Sequence, residues 1–297
     1  MTDRFSCSVN SLALDEALYG TASQVRRWIL VEQPGPWGID AVAQSDLPED
    51  VATRLRALAR TAGARLLLIR RHGRSEHQGR TCFAVTSTAD VRRVERLAFT
   101  DPAELLAVDW GPLRRFEPVG GDAVEAPVYL VCTNGSHDTC CARFGRPVAA
   151  ALHNAGDIDV WEASHFGGDR FAGNLVCLPD GIYYGRVTPD RAVDLVARHR
   201  AGALDLDHLR GRSFSPFVAQ AAEHFLRVDR GLYGIDEVLP AQIDDLGDGT
   251  FAVALRTSAE EIVTATVACS DAVAPQQLTC RSHDQEHPPR YRLVSLT

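Results

Sequence analysis

Twice along this chain of 297 residues an aliphatic run of strand length is followed by a helical segment and further strand-like runs. That repeated order restricts the fold more than any other feature. In the first pass RRWILVEQ (26–33) reads as a strand and PGPWG supplies turn formers. LPEDVATRLRALARTAGA, from Leu47, carries helical periodicity with Gly63 near its end, and RLLLIRR and RTCFAVTS read as strands joined by HGRSEHQG. DPAELLAVDW adds a short helix, and the polar FEPVGGDAVEA reads as a linker. In the second pass APVYLVC (126–132) is a strand, CCARFGRPVAAALHNAG contains a helix, and DVWEAS, NLVCLPD and IYYGRV are strands. TPDRAVDLVARHRAG is a helix with proline at its start. The chain is therefore expected to be α/β, with two related lobes of helices packed on a sheet. After about residue 205 the pattern changes to a helix, SPFVAQAAEHFLRVDRG, and strand-like TFAVALRTS and EIVTATVACS beside the turn formers GDG. Residues 206–297 thus read as a C-terminal α+β extension.

Composition is that of a globular chain, 45% hydrophobic and 24% charged. The net charge of −8 argues against a general affinity for nucleic acid, local arginine clusters such as IRRHGR (69–74) notwithstanding. The first twenty residues contain acidic side chains and no continuous apolar core, so they do not read as a secretory signal. No segment approaches the apolar length that spans a bilayer. The expected location is cytoplasmic, with no membrane or nucleic-acid partner.

Eight cysteines stand at 7, 82, 132, 140, 141, 177, 269 and 280. In a long chain read as cytoplasmic they do not suggest a disulfide framework. Cys82, Cys177 and Cys269 read as buried strand thiols. The stretch VCTNGSHDTCCARFG (131–145) is different: Cys132 ends a predicted strand, and Cys140 and Cys141 open a predicted helix after a seven-residue loop. A helix N-terminus favours thiolate. About thirty residues on, ASHFGGDRFAGN carries His165 and Asp169 in a glycine-rich turn between strands. Ligands from two strand-end loops are thereby able to converge.

The segments CTNGSHDTCCARFGRP and SHFGGDRFAGNLVCLPDGIYYGRV, with GTASQVRRWILVEQPGPWG and LLLIRRHGR more weakly, resemble the sucrase/ferredoxin-like family, which is grouped with the thioredoxin-like [2Fe-2S] ferredoxins. The resemblance covers roughly residues 7 to 195. It implies two thioredoxin-like lobes, an N-terminal α/β lobe over 1–120 and a ferredoxin domain over 121–205. It further implies one [2Fe-2S] cluster and one-electron transfer between an electron-donating reductase and an acceptor that the sequence does not name. In such ferredoxins two cysteines come from the first loop, and two more ligands, with three residues between them, come from a later loop before a strand and a P-x-G turn. Cys132 matches the first position, and Cys141 the second because A-x-x-G follows it. His165 and Asp169 occupy the later pair, Asp169 standing ten residues before Pro179 as the family's last ligand does. A branch of the family uses two histidines there, and this chain departs from it with aspartate. Carboxylate is a harder ligand than thiolate or imidazole, so a supporting role for Asp169, or a ligand from Cys140 or His137, stays open.

Other readings remain beside that one. Thiol catalysis by Cys140 and Cys141 lacks the usual C-x-x-C, and Cys140 reads as a buried neighbour. A mononuclear zinc site of Cys132, Cys141, His165 and Asp169 would make the chain a zinc-stabilised interaction module, though the paired knuckles of most structural zinc sites are missing. An oxidoreductase acting directly on a small oxidant such as a ferric chelate would need an open cavity beside the cluster, whereas a carrier needs only an exposed ligand edge. His137 and Asp138 read as a capped turn before the helix. Arg170 and Arg186 read as solvated charge. CRSHDQEHPPRY, with Cys280, His283 and His287 at metal-compatible spacing, reads as a polar loop. Nothing marks two carboxylates as a glycosidase pair.

Overall fold

The computed structural model describes residues 5–73, 79–270 and 274–297. Most of the HGRSEHQG connection lies outside the described residues. Helix α1 (Cys7–Ala13) precedes a first lobe of β1 (Arg27–Glu32), α2 (Glu49–Ala62), β2 (Arg65–Arg70), β3 (Arg80–Ser87) and β4 (Arg92–Phe99). A 3-10 turn (Pro102–Leu106), the one-turn helix α3 (Gly111–Arg114) and the short β5 (Asp122–Ala123) lead to the second lobe. That lobe contains β6 (Val128–Cys132), α4 (Thr139–Asn154), β7 (Val160–Ala163), a 3-10 turn (Asp169–Phe171), β8 (Leu175–Leu178), β9 (Ile182–Tyr184) and α5 (Pro189–Arg200). β10 (Leu209–Arg212), α6 (Phe217–Arg230), β11 (Val238–Gly247), β12 (Thr250–Thr257), β13 (Ile262–Ser270) and β14 (Arg290–Leu296) complete the chain.

Both lobes have the thioredoxin-like order expected of them. β2-β1-β3-β4 and β7-β6-β8-β9 each pair their first two strands in parallel and the others antiparallel. The sequence does not show that the lobes share one sheet. β2 and β7 pair antiparallel, Ile69 opposite Ala163 and Arg70 opposite Glu162, which makes a single ten-stranded sheet with β5 and β10 at its ends.

The alternation of side chains along each strand gives this sheet two buried faces. Ile29 and Val31 of β1 face α2, and Tyr129 and Val131 of β6 face α4 and α5. Trp28, Leu30, Val128 and Leu130 point the other way, into one core common to both lobes. Rings from distant strands meet there, Trp28 with Tyr183 at 6.2 Å and Phe83 with Trp161 at 5.5 Å between centroids. Strands buried on both faces read as continuous apolar runs, which is why they were legible.

Helix α2 forms where Val51, Ala52, Leu55, Ala59 and Ala62 make a buried stripe, with Glu49 and Asp50 at its positive end. Gly63, at φ 63°, takes the left-handed conformation that ends it. Burying a leucine such as Leu55 stabilises by about 2 kcal/mol. Two arginines of the basic cluster are occupied by ion pairs, Arg70 with Glu162 at 2.8 Å and Arg71 with Asp159 at 2.6 Å, and Arg74 lies outside the described residues.

In the C-terminal part β11, β12, β13 and β14 form a separate antiparallel sheet. Helix α6 lays Ala219, Ala222 and Leu226 against Val253 and Leu255 of β12 and Val263, Ala265 and Val267 of β13. Among the described residues no helix is long and apolar enough to cross a membrane.

Candidate metal centre

Cys132 is the last residue of β6, and Cys141 lies in the first turn of α4, so the loop between them brings strand end and helix start together. Asp138 is the N-cap of α4, its carboxylate accepting from the Cys140 amide at 2.8 Å. Helix and strand approach unusually closely. A Cβ on Gly145 would stand 2.0 Å from the Cys132 carbonyl oxygen, so glycine is required one turn beyond Cys141. The second loop, after β7, turns through Gly167 (φ 108°) and Gly168 (φ 85°) to place His165 and Asp169 opposite the thiols.

The four side chains expected at the site meet. His165 Nδ1 is 3.8 Å from Cys132 Sγ and 3.9 Å from Cys141 Sγ. Asp169 Oδ1 lies 2.8 Å from His165 Nδ1 and accepts from the Cys141 thiol at 3.1 Å. Both cysteines and Asp169 are buried, and the His165 side chain is 19% exposed, so the imidazole edge is the site's opening to solvent.

Each group moves the proton affinity of its neighbours. A hydrogen bond shared with Cys141 pulls the Cys132 thiol down to about 5 against burial, with His165 adding to the effect, and the same bond together with burial pushes Cys141 well up. Burial disfavours the His165 imidazolium, but Asp169 and Cys132 outweigh it and raise the ring to about 9. Burial also opposes ionisation of Asp169, and the His165 imidazole holds it below the usual carboxylate range nonetheless. A thiolate and a carboxylate thus surround one imidazolium, an arrangement that a cation would satisfy by displacing protons.

His137 corrects the reading of a simple capped turn. Asp138 does cap α4, but the His137 ring stacks on His165 at 3.8 Å with 12° between planes, and its Nε2 is 3.8 Å from Asp169 Oδ2. Two overlapping donor groups result, Cys132 with Cys141 and His165, and His137 with His165 and Asp169. Cys140 turns away and is buried with Cys7 and Cys280.

Arg170 and Arg186 are not solvated charges. Arg170 pairs with Glu16 at 2.7 Å, and Arg186 donates to the Ser11 hydroxyl and the Glu16 carbonyl at 3.0 and 2.8 Å, so both hold the N-terminal segment against this lobe. Cys280, His283 and His287 do not gather into one ligand group among the described residues. Cys82 and Cys177 are buried strand thiols as expected, and Cys269 is half-buried.

Little in the local pattern singles out Arg210 of β10, which lies past the apparent end of the lobe. Its guanidinium, fully buried, donates to Gly167 O at 3.1 Å, Asn174 Oδ1 at 2.8 Å and Thr21 O at 2.6 Å. Asn174 in turn donates to Gly168 O at 2.7 Å. The backbone that presents His165 and Asp169 is therefore clamped from a strand about forty residues on, and burial lowers this arginine to about 10. The only signal in the sequence was a charged pair inside a short apolar context, LRGR.

Beside the imidazoles lies a cleft of about 260 Å³ lined by Ile39, Asn134, Ser164 and the two histidines. A larger hollow of about 470 Å³ near Phe116 and Phe214 brings together none of the ligand groups described above.

The chain is similar to a thioredoxin-like [2Fe-2S] ferredoxin from Aquifex aeolicus, 20% identical over 31% of this chain and 97% of that one, with a TM-score of 0.27. A cysteine-to-serine variant of a thioredoxin-like [2Fe-2S] ferredoxin from the same organism is 19% identical over 29% of this chain and 100% of that one, with a TM-score of 0.27. No curated protein matches. The family described as Sucrase/ferredoxin-like matches residues 18–211, a span that runs from before β1 to β10 and takes in both lobes, the paired loops of the metal centre and the arginine that clamps them. With more than half of its length so matched, the chain belongs to the sucrase/ferredoxin-like family.

Proposed function

We propose that the protein is a one-electron carrier in which Cys132, Cys141, His165 and Asp169 hold a single [2Fe-2S] cluster. The observation that carries this reading is the convergence of two buried thiols with an imidazole and a carboxylate on two loops of one lobe. The donor set fits the group: thiolates and imidazole are established cluster ligands, and family membership points the same way. When bound, the cluster supplies reversible one-electron chemistry.

The chain's own contribution is to place and insulate. Arg210 and Asn174 fix the loop bearing His165 and Asp169, and the shared core excludes water from the thiols. His165 directs Nδ1 at both sulfurs and at Asp169, so Nε2 is the ring atom left to exchange a proton with solvent. A reductase and an acceptor would dock at the exposed face near His137, His165 and Ile39. The cleft there is below the roughly 300–1,000 Å³ usual for small-ligand sites, which favours electron exchange across a protein surface over capture of a small oxidant. A reducing cytoplasm suits this reading, because the site thiols stay reduced there until the cluster is assembled.

The test is anaerobic purification followed by a visible spectrum and iron and sulfide counts on the same sample. Brown protein with about two irons and two acid-labile sulfides per chain is expected. Cys141→Ser should lose the iron, whereas Cys140→Ser should keep it. Colourless protein carrying one zinc at Cys132 and Cys141 and no sulfide would replace this reading with the interaction module.

A further inference from the structure

Cys7, Cys140 and Cys280, which the cluster reading does not use, meet at one point. Cys7 begins α1, Cys140 lies in the first turn of α4, and Cys280 belongs to the connection from β13 to β14. The Cys280 Sγ is 3.4 Å from that of Cys140 and 3.5 Å from that of Cys7. Asp138 holds both carboxylate oxygens 3.7 Å from the Cys7 Sγ. One donor atom from each of the four residues lies within 4.8 Å of the others. Cys7, Cys140 and Asp138 are buried and Cys280 is half-buried.

The spacing distinguishes a metal site from a disulfide. A disulfide requires sulfurs about 2.0 Å apart. Thiolates at about 2.3 Å from a tetrahedral zinc ion stand about 3.8 Å from one another, close to what is found here. One disulfide would also leave the third sulfur over. Two of the sulfurs also have polar neighbours: the Cys7 amide donates to Cys280 Sγ at 3.4 Å, and the Ser6 hydroxyl is 3.2 Å from Cys140 Sγ. Asp138 accepts from the amides of Cys140 at 2.8 Å and Cys280 at 2.6 Å, which fixes its carboxylate while each oxygen keeps a lone pair.

We infer that Cys7, Cys140, Cys280 and Asp138 form a second, structural metal site that takes Zn²⁺ through three thiolates and one carboxylate oxygen. Three thiol protons leave to solvent as three Zn–S bonds form, and no electron is transferred. The ion joins three regions that are remote in sequence: the N-terminal helix, the lobe that bears the metal centre, and the C-terminal part. Through Cys140 it also anchors the helical turn that carries Cys141.

The experiment is elemental analysis of the full-length protein as purified, together with zinc-edge X-ray absorption, which iron does not obscure. About one zinc per chain is expected, with three sulfur neighbours at about 2.3 Å and one lighter neighbour. Cys280→Ser, a change in a half-buried connection, should lower zinc content about tenfold and leave iron content unchanged. Cys132→Ser should retain zinc. The proposal is overturned by wild-type protein without zinc, by zinc retained in Cys280→Ser, or by a zinc shell with only two sulfurs, which would put the ion at Cys132 and Cys141. A Cys140–Cys280 peptide about two mass units lighter than the thiol form would also overturn it. Should Cys7→Ser fail to fold, Cys280→Ser and the absorption spectrum still decide.

Discussion

Among single residues Asp169 has the most to say about the site. It stands where a second histidine is expected, buried, and it touches both His165 and the Cys141 thiol. Replacing its carboxylate by a neutral imidazole removes a negative charge, so Asp169→His should raise the reduction potential on the order of 100 mV, measured by an EPR-monitored titration. An unchanged potential would place Asp169 outside the ligand set. A coordinated His165 has a further consequence. Over part of the range from roughly pH 6 to 10 the potential should fall by up to about 59 mV per unit, and a flat profile would separate the ring proton from electron transfer. These residue types were legible because ligand chemistry resides in side-chain identity and loop spacing. His137 was legible only as an open alternative, since a histidine two residues before a helix is consistent with a turn until its ring is seen stacked on His165.

At the scale of elements, the close approach of α4 to β6 is the feature most sensitive to change. Gly145→Ala puts a methyl group against the Cys132 carbonyl, backbone that cannot move without shifting the cysteine. A cost of about 1–3 kcal/mol and reduced iron content are expected together, read by thermal denaturation and iron analysis. The buried network of α6 offers the contrast. Glu223 Oε1 accepts from Arg212 of β10 at 3.2 Å and from Arg227 at 3.0 Å, with all three side chains buried. Glu223→Ala strands two guanidiniums and should cost about 3–5 kcal/mol, with iron content unchanged in the protein that remains folded. The helices and doubly buried strands were readable from period and apolar content. β4, RRVERLAF, was not, because four charged residues conceal the alternation, one of them, Glu95, being buried where it accepts from the amides of Val119, Gly120 and Gly121. β11 is the edge strand of the four-stranded sheet and is exposed over most of its length, so its VLPAQIDDLG offers little alternation to read.

For the whole molecule, what matters is how remote segments are held together. Gln220 of α6 binds both the amide and the carbonyl of Ala22 and also the carbonyls of Arg212 and Ser215, which joins the N-terminal segment, β10 and the C-terminal helix. Nearby, His224 stacks on Tyr19 at 4.3 Å, and its Nδ1 is buried without a hydrogen-bond partner among the described residues. Burial lowers this histidine to about 4, more than the Glu223 carboxylate raises it. Above the unfolded value near 6.5 both states hold it neutral and its contribution is complete; as pH falls from there toward 4 the unfolded chain takes up the proton first, and stability is lost. The loss is on the order of 2 kcal/mol, or about 5 °C in Tm. His224→Phe, which keeps the stacking and removes the titration, should show a smaller drop in Tm between about pH 7.5 and 5 than the wild type does.

The sequence by itself pointed to the α/β class and the two lobes, because those follow from local period and turn chemistry, and its resemblance to the sucrase/ferredoxin-like family singled out Cys132, Cys141, His165 and Asp169 as the residues to watch. Only the tertiary structure decided that the lobes share one sheet through β2 and β7, that Arg210 clamps the second loop, and that Cys7 and Cys280 gather on Cys140. Each of these joins residues far apart in the chain, and their meeting is set by the packing of whole elements around a common core, which no local pattern encodes.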